Sequence, residues 1–286
     1  MEDKEPQFLS TNEDKGTVDN PLVSVITPVL NGIKYLEACI QSILTQSYPN
    51  IEHVLIDGSS TDGTLEILSS YQARYPDRIR FISESDKSGD EAWNKGVRMA
   101  KGEILQWLGS DDMSEPDAIQ AVVKFFRANP DAYFVYGECN IINEKGDIIG
   151  RDRIKDFNLE ELIKDRCMIP TTSAFYKRRV IEKLGWFDTW GIHSGMDTEL
   201  FIRVGQVFPM YRIEEVLSRA RVHREGQNTA KETHITYLRE DCMVSRRYGG
   251  GIFSGYCRRY YKFVIVERLR PILGFAYPII NKVLKK

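Results

Sequence analysis

The sequence predicts an α/β fold in which a largely parallel sheet is flanked by helices and followed by a C-terminal amphipathic helical extension. The first observation is that apolar segments typical of strands alternate with segments at helical spacing from residue 22 to residue 142. The second is that polar or acidic clusters follow three of the predicted strands. Helices that return the chain between strands make successive strands parallel, so these clusters are expected along one edge of the sheet.

The first strand and its helix are predicted from "LVSVITPVL" and from the apolar residues at helical spacing that follow it, up to "SYPN". "IEHVLIDG" predicts the second strand, and "STDGTLEILSSYQARY" predicts a helix with a capping-type start. The third strand is "RIRFISE", and "GDEAWNKGVRMAKG" predicts a short helix that ends at Gly102. Three βα units are therefore expected in the first 102 residues.

The fourth and fifth strands are predicted from "EILQWLGS" and "AYFVYGECNII", and the helix between them has Pro116 in its first turn. Trp93 and Trp107 are predicted to lie in the core. Beyond residue 143, "EKGDIIGRDRI" predicts a hairpin that turns at Gly146. "SAFYKRRVIEKLGWFD" predicts a strand and a short helix, and "GMDTELFIRVGQV" predicts another helix. "MYRIEEVLSRARVHREGQNT" predicts a strand, a turn and a second strand.

Composition and charge divide the chain of 286 residues into three parts. Residues 1–20 contain six acids and two bases and are predicted to be a disordered tail. Residues 21–230 form the predicted catalytic domain. Residues 231–286 form a basic helical extension, and from Arg239 onward eleven Lys or Arg oppose three Asp or Glu. Such a charge excess indicates an anionic partner, and the absence of a recognised binding motif disfavours nucleic acid.

The stretch "RRYYKFVIVERLRPILGFAYPIINKVLKK" has apolar residues near helical spacing, surrounded by basic residues. One interpretation is an interfacial helix on an anionic membrane surface. The other is a helix packed on the catalytic domain and kinked by Pro271 and Pro278. No apolar signal core or membrane-spanning stretch is evident, so we expect a cytoplasmic chain, peripheral on the inner face of the cell membrane if the first interpretation holds.

The chain has five cysteines, at irregular spacing and without a CxxC motif. The odd number and the spacing argue against a disulfide framework or a zinc site. They favour a reducing compartment.

Two adjacent aspartates, Asp111 and Asp112, follow the predicted fourth strand in "ILQWLGSDD". Carboxylates this close repel one another unless a cation or a set of donors lies between them. Two hypotheses remain open from the residues alone, a cap on the following helix or half of a metal site. Asp57, in "IDGSSTDGT", is likewise either a turn residue that supports Gly58 or part of a binding site.

The order of four segments, "TPVLNG", "IDGSSTDGT", "SESDKSGDEAWNKG" and "GSDD", resembles the inverting family 2 glycosyltransferases. The resemblance covers about residues 21–225 and implies a GT-A fold, a Rossmann-like fold that binds nucleotide sugars. Neither a GxGxxG nor a GxxxxGK[ST] loop is present, which disfavours dinucleotide-binding and nucleotide triphosphatase functions.

The resemblance implies a role for residues that follow the first four strands. Asp111 would face the ribose, and Asp57 would accept a hydrogen bond from the base. Asp112 would bind Mg²⁺ or Mn²⁺, with His223 as a metal or phosphate contact or as a purely structural residue. The full set expected to bind the nucleotide sugar is Thr27, Pro28, Asn31, Asp57, Ser59, Asp86, Lys87, Asn94 and Asp111.

The resemblance also places the catalytic base at Asp197, in "GMDTELFIRV". Asp197 is alternatively a helix N-cap, and Glu199 is the reserve candidate for the base. Met196 stands where many relatives carry an acid, which leaves one carboxylate fewer near the acceptor. Arg203 is expected to be structural. Trp186, Trp190 and His193 flank the acceptor side.

The expected function is metal-dependent transfer of a sugar from a nucleoside diphosphate sugar, with UDP as the expected nucleotide, to a hydroxyl of a glycan or lipid-linked acceptor in surface polysaccharide biosynthesis. A sugar-phosphate nucleotidyltransferase is one alternative, although "TPVLNGIKYLE" lacks the glycine-rich and basic loop such enzymes normally have. A nucleotide-sugar-binding protein without catalysis is the other, and Met196 is the one feature that favours it.

Overall fold

The protein is described here from a computed structural model, over residues 20–86, 88–152, 154–185, 195–223 and 231–273. Several predicted features lie outside these residues: the tail up to residue 19, the end of the amphipathic stretch from residue 274, Lys87, Trp186, Trp190 and His193.

The described ranges contain nine strands and nine α-helices. The strands are β1 (Val23–Val29), β2 (Ile51–Asp57), β3 (Ile79–Ser83), β4 (Ile104–Trp107), β5 (Met113–Ser114), β6 (Phe134–Ile142), β7 (Ile148–Asp152), β8 (Ala174–Lys177) and β9 (Met210–Arg221). The helices are α1 (Leu36–Leu44), α2 (Thr64–Arg74), α3 (Gly89–Met99), α4 (Ala118–Ala128), α5 (Leu159–Lys164), α6 (Arg179–Leu184), α7 (Met196–Val207), α8 (Lys231–Arg247) and α9 (Gly255–Leu273). A 3₁₀ turn at Thr171–Ser173 precedes β8.

The strands form one sheet in the order β3-β2-β1-β4-β8-β6-β9-β5, and β7 pairs with β6. The run β3-β2-β1-β4 is parallel throughout, as the alternation of strands and helices predicts. β8 lies antiparallel between β4 and β6, and β6 and β9 are parallel to each other. The carboxyl ends of the first four strands therefore meet at one edge, where the predicted polar clusters are found.

The core lies on both faces of the sheet, as expected for parallel strands covered by helices. Every residue of β2 is buried. On one face Ile26 and Ile56 pack with Trp93 of α3, which is fully buried and stacks on Trp107 with 5.8 Å between ring centroids. On the other face Val25 packs with residues of α1 and α4. The prediction that both tryptophans belong to the core is confirmed, Trp107 being partly buried.

The segment predicted as a strand, a turn and a second strand forms one continuous strand, β9, over Met210–Arg221, and its end from residue 224 lies outside the described residues. Glu214 and Glu215 lie where the register of β9 shifts against β6 between Tyr136 and Glu138. Such an irregularity lets both glutamates remain exposed without ending the strand. The predicted hairpin between β6 and β7 is confirmed, with Gly146 in the left-handed region at φ 91°.

The prediction against disulfides is wrong for one pair. Cys242 of α8 and Cys257 of α9 form a disulfide, and the three other cysteines are free. Fifteen residues separate the two cysteines in sequence, and only the helix–turn–helix arrangement of the extension brings them together. Spacing alone therefore gave no sign of the pairing.

The C-terminal extension is a helical hairpin. α8 packs against α5 and α7 of the preceding domain and against α9. Within the described ranges, no helix has both the length and the apolar character that a membrane-spanning helix needs.

Gly96 marks the closest approach of α3 to the sheet. A Cβ at this position would lie 2.3 Å from Cγ2 of Ile26. We expect Gly96→Ala to lower the free energy of unfolding by about 1–2 kcal/mol, because overpacking outweighs the better helix propensity of alanine. Urea denaturation monitored by circular dichroism measures the change.

Gly89→Ala is the matched control in the same helix, since the nearest atom to its new Cβ would be Cε of Met196 at 4.0 Å. Equal stability of the two variants would show that α3 does not press against β1 as described.

Candidate active site

The loops after β1 and β2 are joined by reciprocal hydrogen bonds. The backbone N–H of Asn31 donates to Oγ of Ser60 at 2.7 Å, and the N–H of Thr61 donates to Oδ1 of Asn31 at 2.9 Å. Asn31 has φ 51° and Ser59 has φ 67°, and no other non-glycine residue in the described ranges has a positive φ. Backbone strain of this kind clusters where surrounding contacts hold a binding loop in place.

Asp57 ends β2 and is fully buried. Its carboxylate accepts hydrogen bonds from the N–H of Ser60 at 3.1 Å and from Oγ of Ser83 at 2.6 Å. Asp57 thus links the loops after β2 and β3. An ionised carboxylate has about four acceptor positions, so these bonds leave capacity for a ligand donor.

Thr27 and Pro28 lie on β1, but the Thr27 hydroxyl is buried within 2.9 Å of Nε2 of His53. Burial lowers the pKa of His53 to about 3, with a further contribution from Arg78, so its imidazole is neutral at pH 7. Thr27 could therefore contact a ligand only through its backbone.

The loop after β3 brings Asp86 to the same edge. Its Oδ1 forms an ion pair with Nζ of Lys95 at 2.6 Å, and its Oδ2 would be 3.7 Å from a Cβ at Gly58. Lys95 also pairs with Glu84 at 2.8 Å. Asn94 is half-buried on α3. Asp86 is therefore placed beside the loop that contains Asp57.

Asp111 and Asp112 lie in the loop after β4, close against Gly109. A Cβ at Gly109 would be 2.6 Å from Oδ2 of Asp112 and 2.9 Å from Oδ1 of Asp111. Glycine is needed here because no side chain fits beneath the two carboxylates. The geometry explains why the motif is "GSDD".

Arg221, the last residue of β9, holds this pair in place. Its backbone N–H donates to Oδ1 of Asp112 at 2.8 Å, and its Nε donates to the carbonyl oxygen of Asp111 at 2.8 Å. Its Nη1 donates to the carbonyl of Asn143 at 3.0 Å, in the β6–β7 turn. Arg221 therefore connects three separate segments around the aspartates, a role that the sequence did not predict.

Burial raises the pKa of Asp112 to about 7, and the negative charge of Asp111 adds to the shift. The hydrogen bond and charge of Arg221 oppose the shift without cancelling it. Ionisation of Asp112 in this site therefore costs free energy unless a cation compensates the negative charge.

His223 lies beside the pair, with Nε2 at 2.8 Å from Oδ2 of Asp111. Its ring packs on Tyr35 with centroids 4.9 Å apart, and the Arg221 guanidinium lies 4.5 Å from the Tyr35 centroid. Nζ of Lys34 lies 4.8 Å from the same centroid. The edge beyond β4 therefore combines two carboxylates with two cationic side chains and a histidine.

Asp197, in the first turn of α7, is half-buried. Its Oδ2 accepts a 2.6 Å hydrogen bond from Oγ1 of Thr171, and its Oδ1 accepts from the N–H of Thr198 at 2.7 Å. Met196 approaches Gly89 at the start of α3. Because α3 follows β3, Asp197 lies toward the same edge of the sheet, on a different element from the aspartate pair.

The carboxylate of Glu199, the reserve candidate for the base, has its hydrogen-bonding capacity taken up by structural partners. It is buried and forms a bidentate pair with Nε of Arg203 at 2.8 and 2.9 Å. The hydroxyl of Tyr248 donates to it at 2.6 Å. These bonds join α7 to the C-terminal extension and assign Arg203 the structural role that the sequence predicted.

A further acid, Asp241 of α8, escaped prediction because it lies in the C-terminal extension. Burial raises the pKa of Asp241 to about 7, and the negative charge of Asp197 contributes next. Burial also raises the pKa of Cys167 to about 12, with the charge of Asp197 contributing. Asp197 therefore has a second carboxyl group near it, although Met196 is not acidic.

Within the described part of the chain, no three His, Cys, Asp or Glu side chains converge as a metal cluster. A divalent cation at Asp112 would therefore need ligands beyond protein side chains. Mg²⁺ and Mn²⁺ sites that use one or two carboxylates together with substrate phosphates meet that requirement.

Comparison with known families gives a match over residues 24–201 to the model described as glycosyl transferase family 2. The match covers more than half of the chain, from β1 into α7.

Curated relatives include a chondroitin synthase of Escherichia coli, 29% identical over 254 residues, which cover 84% of this chain and 36% of that protein. A hyaluronan synthase of Pasteurella multocida is 27% identical over 214 residues, 73% of this chain and 21% of that protein. An uncharacterized glycosyltransferase of Rickettsia typhi is 30% identical, covering 74% of this chain and 67% of that protein. The chain thus spans well under half the length of both synthases.

Solved structures confirm the GT-A fold. The mannosyltransferase PcManGT of Pyrobaculum calidifontis, in complex with GDP-Man and Mn²⁺, aligns with a TM-score of 0.63 at 18% identity, over 93% of this chain and 80% of that one. S. aureus TarS in complex with UDP-GlcNAc aligns with a TM-score of 0.58 at 16% identity, over 78% of this chain and 66% of that one.

The raised pKa of Asp112 predicts how the stability of the folded protein changes with pH. The folded protein binds a proton at Asp112 up to about pH 7, whereas the unfolded chain loses it near pH 4. Stability contributed by this residue therefore falls as pH rises through that window. We expect Asp112→Asn to raise the Tm of the ligand-free protein at pH 8 by about 2–4 °C, with a smaller gain at pH 5.

Glu115→Gln is the control of opposite sign. Burial works against ionisation of Glu115, but the hydrogen bonds from Arg219 and Asn140 and the positive charges of Arg219 and Arg151 together outweigh it, so the pKa of Glu115 lies below its usual value. Glu115→Gln should lower the Tm at pH 8. Differential scanning calorimetry at both pH values separates the cases, and a lower Tm for Asp112→Asn at pH 8 would contradict the assignment.

Proposed function

The chain belongs to glycosyl transferase family 2, and on this premise we propose that it transfers a sugar from a nucleoside diphosphate sugar to an acceptor hydroxyl, with inversion at the anomeric carbon. The observation that carries the proposal is the half-buried Asp111–Asp112 pair after β4, which Arg221 holds while the pKa of Asp112 stays raised to about 7 in spite of the Arg221 charge. A divalent cation that binds together with the donor would stabilise the ionised pair.

The donor is proposed to occupy the joined loops after β1, β2 and β3, with Asp57, Asp86 and Asp111 along its length. UDP is the proposed nucleotide. The likeness to a structure that contains UDP-GlcNAc supports it, and the likeness to one that contains GDP-Man makes GDP the competing choice. Backbone strain at Asn31 and Ser59 supports a preformed binding surface, because strained loops persist only where contacts hold them.

Mg²⁺ or Mn²⁺ is proposed to bind at Asp112, with the donor diphosphate completing its ligands. The residues fit such an ion: the donors are hard carboxylate oxygens, and the raised pKa of Asp112 marks a carboxylate that a cation would stabilise. When bound, the ion would offset the negative charge on the departing nucleoside diphosphate. His223 is proposed to orient Asp111 through their 2.8 Å contact and to lie near the diphosphate.

Asp197 is proposed as the general base. It takes the proton from the acceptor hydroxyl while the hydroxyl oxygen forms the bond to the anomeric carbon and the bond to the diphosphate oxygen breaks. Thr171 fixes one carboxylate oxygen at 2.6 Å and the N–H of Thr198 fixes the other. The N-cap of α7 is Gly195 and no side chain caps this helix, so Asp197 is not the N-cap that the sequence offered as an alternative. Its two hydrogen bonds instead support an oriented carboxylate.

The acceptor is proposed to be a growing glycan, free or lipid-linked, in surface polysaccharide assembly at the cytoplasmic face of the membrane. The names of the chondroitin and hyaluronan synthases support a polysaccharide product. Both are much longer than the aligned region, so further domains of those proteins have no counterpart in the alignment.

The donor is tested by thermal shift with UDP-, GDP- and dTDP-sugars, each with and without Mn²⁺. One sugar nucleotide at a hundred times its Kd should stabilise the protein by about 2.7 kcal/mol, or a Tm rise of about 5 °C, and only with the metal. Asp112→Asn should abolish the rise, even though it stabilises the ligand-free protein. Binding that is indifferent to metal and to Asp112 would refute the proposed metal site.

The base is tested by the rate of nucleotide release from the donor that the screen identifies. Asp197→Asn should lower kcat about 10²–10⁴-fold without weakening donor binding. Asp117→Asn is the matched control, because Asp117 lies at the start of α4 as Asp197 lies at the start of α7, and it is exposed and makes no side-chain cap bond. An unchanged rate in Asp197→Asn would place the base elsewhere, and loss of donor binding would show a structural role instead.

A further inference from the structure

The turn between α8 and α9, residues 248–254, exposes two large apolar side chains side by side. Ile252 is 50% exposed and Phe253 is 80% exposed. An exposed aromatic residue next to an exposed aliphatic one, in a sequence that lies outside the family match, calls for a partner. We call residues 248–254 the hairpin turn.

The hairpin turn is held rigidly from beneath. The N–H of Gly250 donates to the carbonyl of Ser245 at 2.8 Å, and a Cβ at Gly250 would be 2.9 Å from the carbonyl of Ile163. The left-handed backbone of Gly249 and Gly251, at φ 89° and 73°, closes the turn tightly. The disulfide between Cys242 and Cys257 joins the two helices below it. Ile252 and Phe253 are therefore presented by a fixed scaffold.

The charged residues of the hairpin sequence have a single sign, and one of them, Arg259, pairs with Asp165 of the preceding domain at 3.2 Å. Residues 243–262 contain five Lys or Arg and no Asp or Glu. Arg246 lies in the last turn of α8, and Arg258 and Lys262 follow in the first turns of α9, all three exposed. Arg258 is at the positive end of the α9 dipole, where a cation is unfavourable for the helix itself. Its position is explained better by an anionic partner than by stability of the hairpin.

We propose that the hairpin turn is a membrane-docking element, which inserts Ile252 and Phe253 into the interfacial region of an anionic phospholipid bilayer. Arg246, Arg258 and Lys262 contact the lipid headgroups around the two inserted side chains. Apolar insertion combined with a basic rim is the combination that gives peripheral proteins affinity for anionic surfaces. Exposed Tyr261, with its amphipathic ring, suits the same interfacial zone.

Docking at this point sets the distance between the bilayer and the acceptor side. Asp241, whose pKa responds to the charge of Asp197, lies only six residues before the end of α8, about 9 Å of helix. A lipid-linked acceptor would then reach the base without leaving the membrane surface. This consequence rests on the role proposed for Asp197, whereas membrane binding itself does not.

The test is co-sedimentation of the full chain with vesicles of phosphatidylglycerol and phosphatidylcholine, and with vesicles of phosphatidylcholine alone. Binding is expected only to the anionic vesicles and should weaken as salt is raised. The double variant Ile252→Ser/Phe253→Ser should weaken binding about tenfold or more, and Arg246→Gln/Arg258→Gln should do so by a similar factor. The Tm of each should remain that of the wild type, because the altered side chains are exposed.

Ile148→Ser/Ile149→Ser is the matched control, since these β7 side chains are 57% and 59% exposed and lie on another element. It should bind vesicles like the wild type. A second control, Lys282→Gln/Lys285→Gln/Lys286→Gln, removes charge from the end of the chain. If that variant loses binding and the hairpin variants keep it, the docking element lies at the C-terminus and the proposal is wrong.

Two other results would also overturn the proposal. Equal binding to neutral vesicles would show that the basic side chains around the turn do not contribute to membrane binding. Analytical ultracentrifugation that shows a dimer, dissociated by Ile252→Ser/Phe253→Ser, would assign the surface to a second copy of the chain. Failure of the nucleotide screen alone would leave the vesicle result intact, so the two proposals fail independently.

Discussion

The structure depends on one constraint, the placement of two adjacent carboxylates at the end of a buried strand. Gly109 makes room for them, and Arg221 holds them from the far end of β9. Because the same arginine bonds to the β6–β7 turn, the pair ties the parallel half of the sheet to the mixed half. The repulsion between the aspartates is thereby retained in the folded state, as the raised pKa of Asp112 shows. Proteins commonly lose some stability at a site that is arranged to bind a ligand.

The loops after β1, β2 and β3 are likewise held together by hydrogen bonds between segments that are distant in the chain. Asn31, Ser60 and Thr61 exchange bonds between the first two loops, and Asp57 binds the third through Ser83. The bond from Ser83 satisfies the fully buried carboxylate of Asp57, and the bonds of Asn31 join the first two loops nearer the surface. The loops are therefore ordered before any ligand binds, which lowers the conformational entropy lost on binding.

The surroundings of Asp197 are built partly from outside the family match. Tyr248 of the C-terminal extension bonds to Glu199, and Asp241 lies close enough to Asp197 for their charges to interact. A carboxyl group from α8 is thus close to Asp197, although the local motif has Met196 in place of an acid. The extension joins the catalytic domain both through the core, with Val244 packed among residues of α7, and through these polar contacts.

The sequence by itself determined the parallel half of the fold, its strands and helices in order, and the four polar segments at one edge, because periodicity and chain order are local properties. It missed what depends on contacts between distant segments: β8 between β4 and β6, the Cys242–Cys257 disulfide, the single long β9, and Arg221 as the holder of the aspartates. A motif in the sequence marked Asp197 as a candidate, whereas Asp241 belongs to no motif and only helix packing brings it near Asp197. Tertiary structure decided these features because hydrogen bonds, burial and charge repulsion act through space between residues that the order of the chain does not relate.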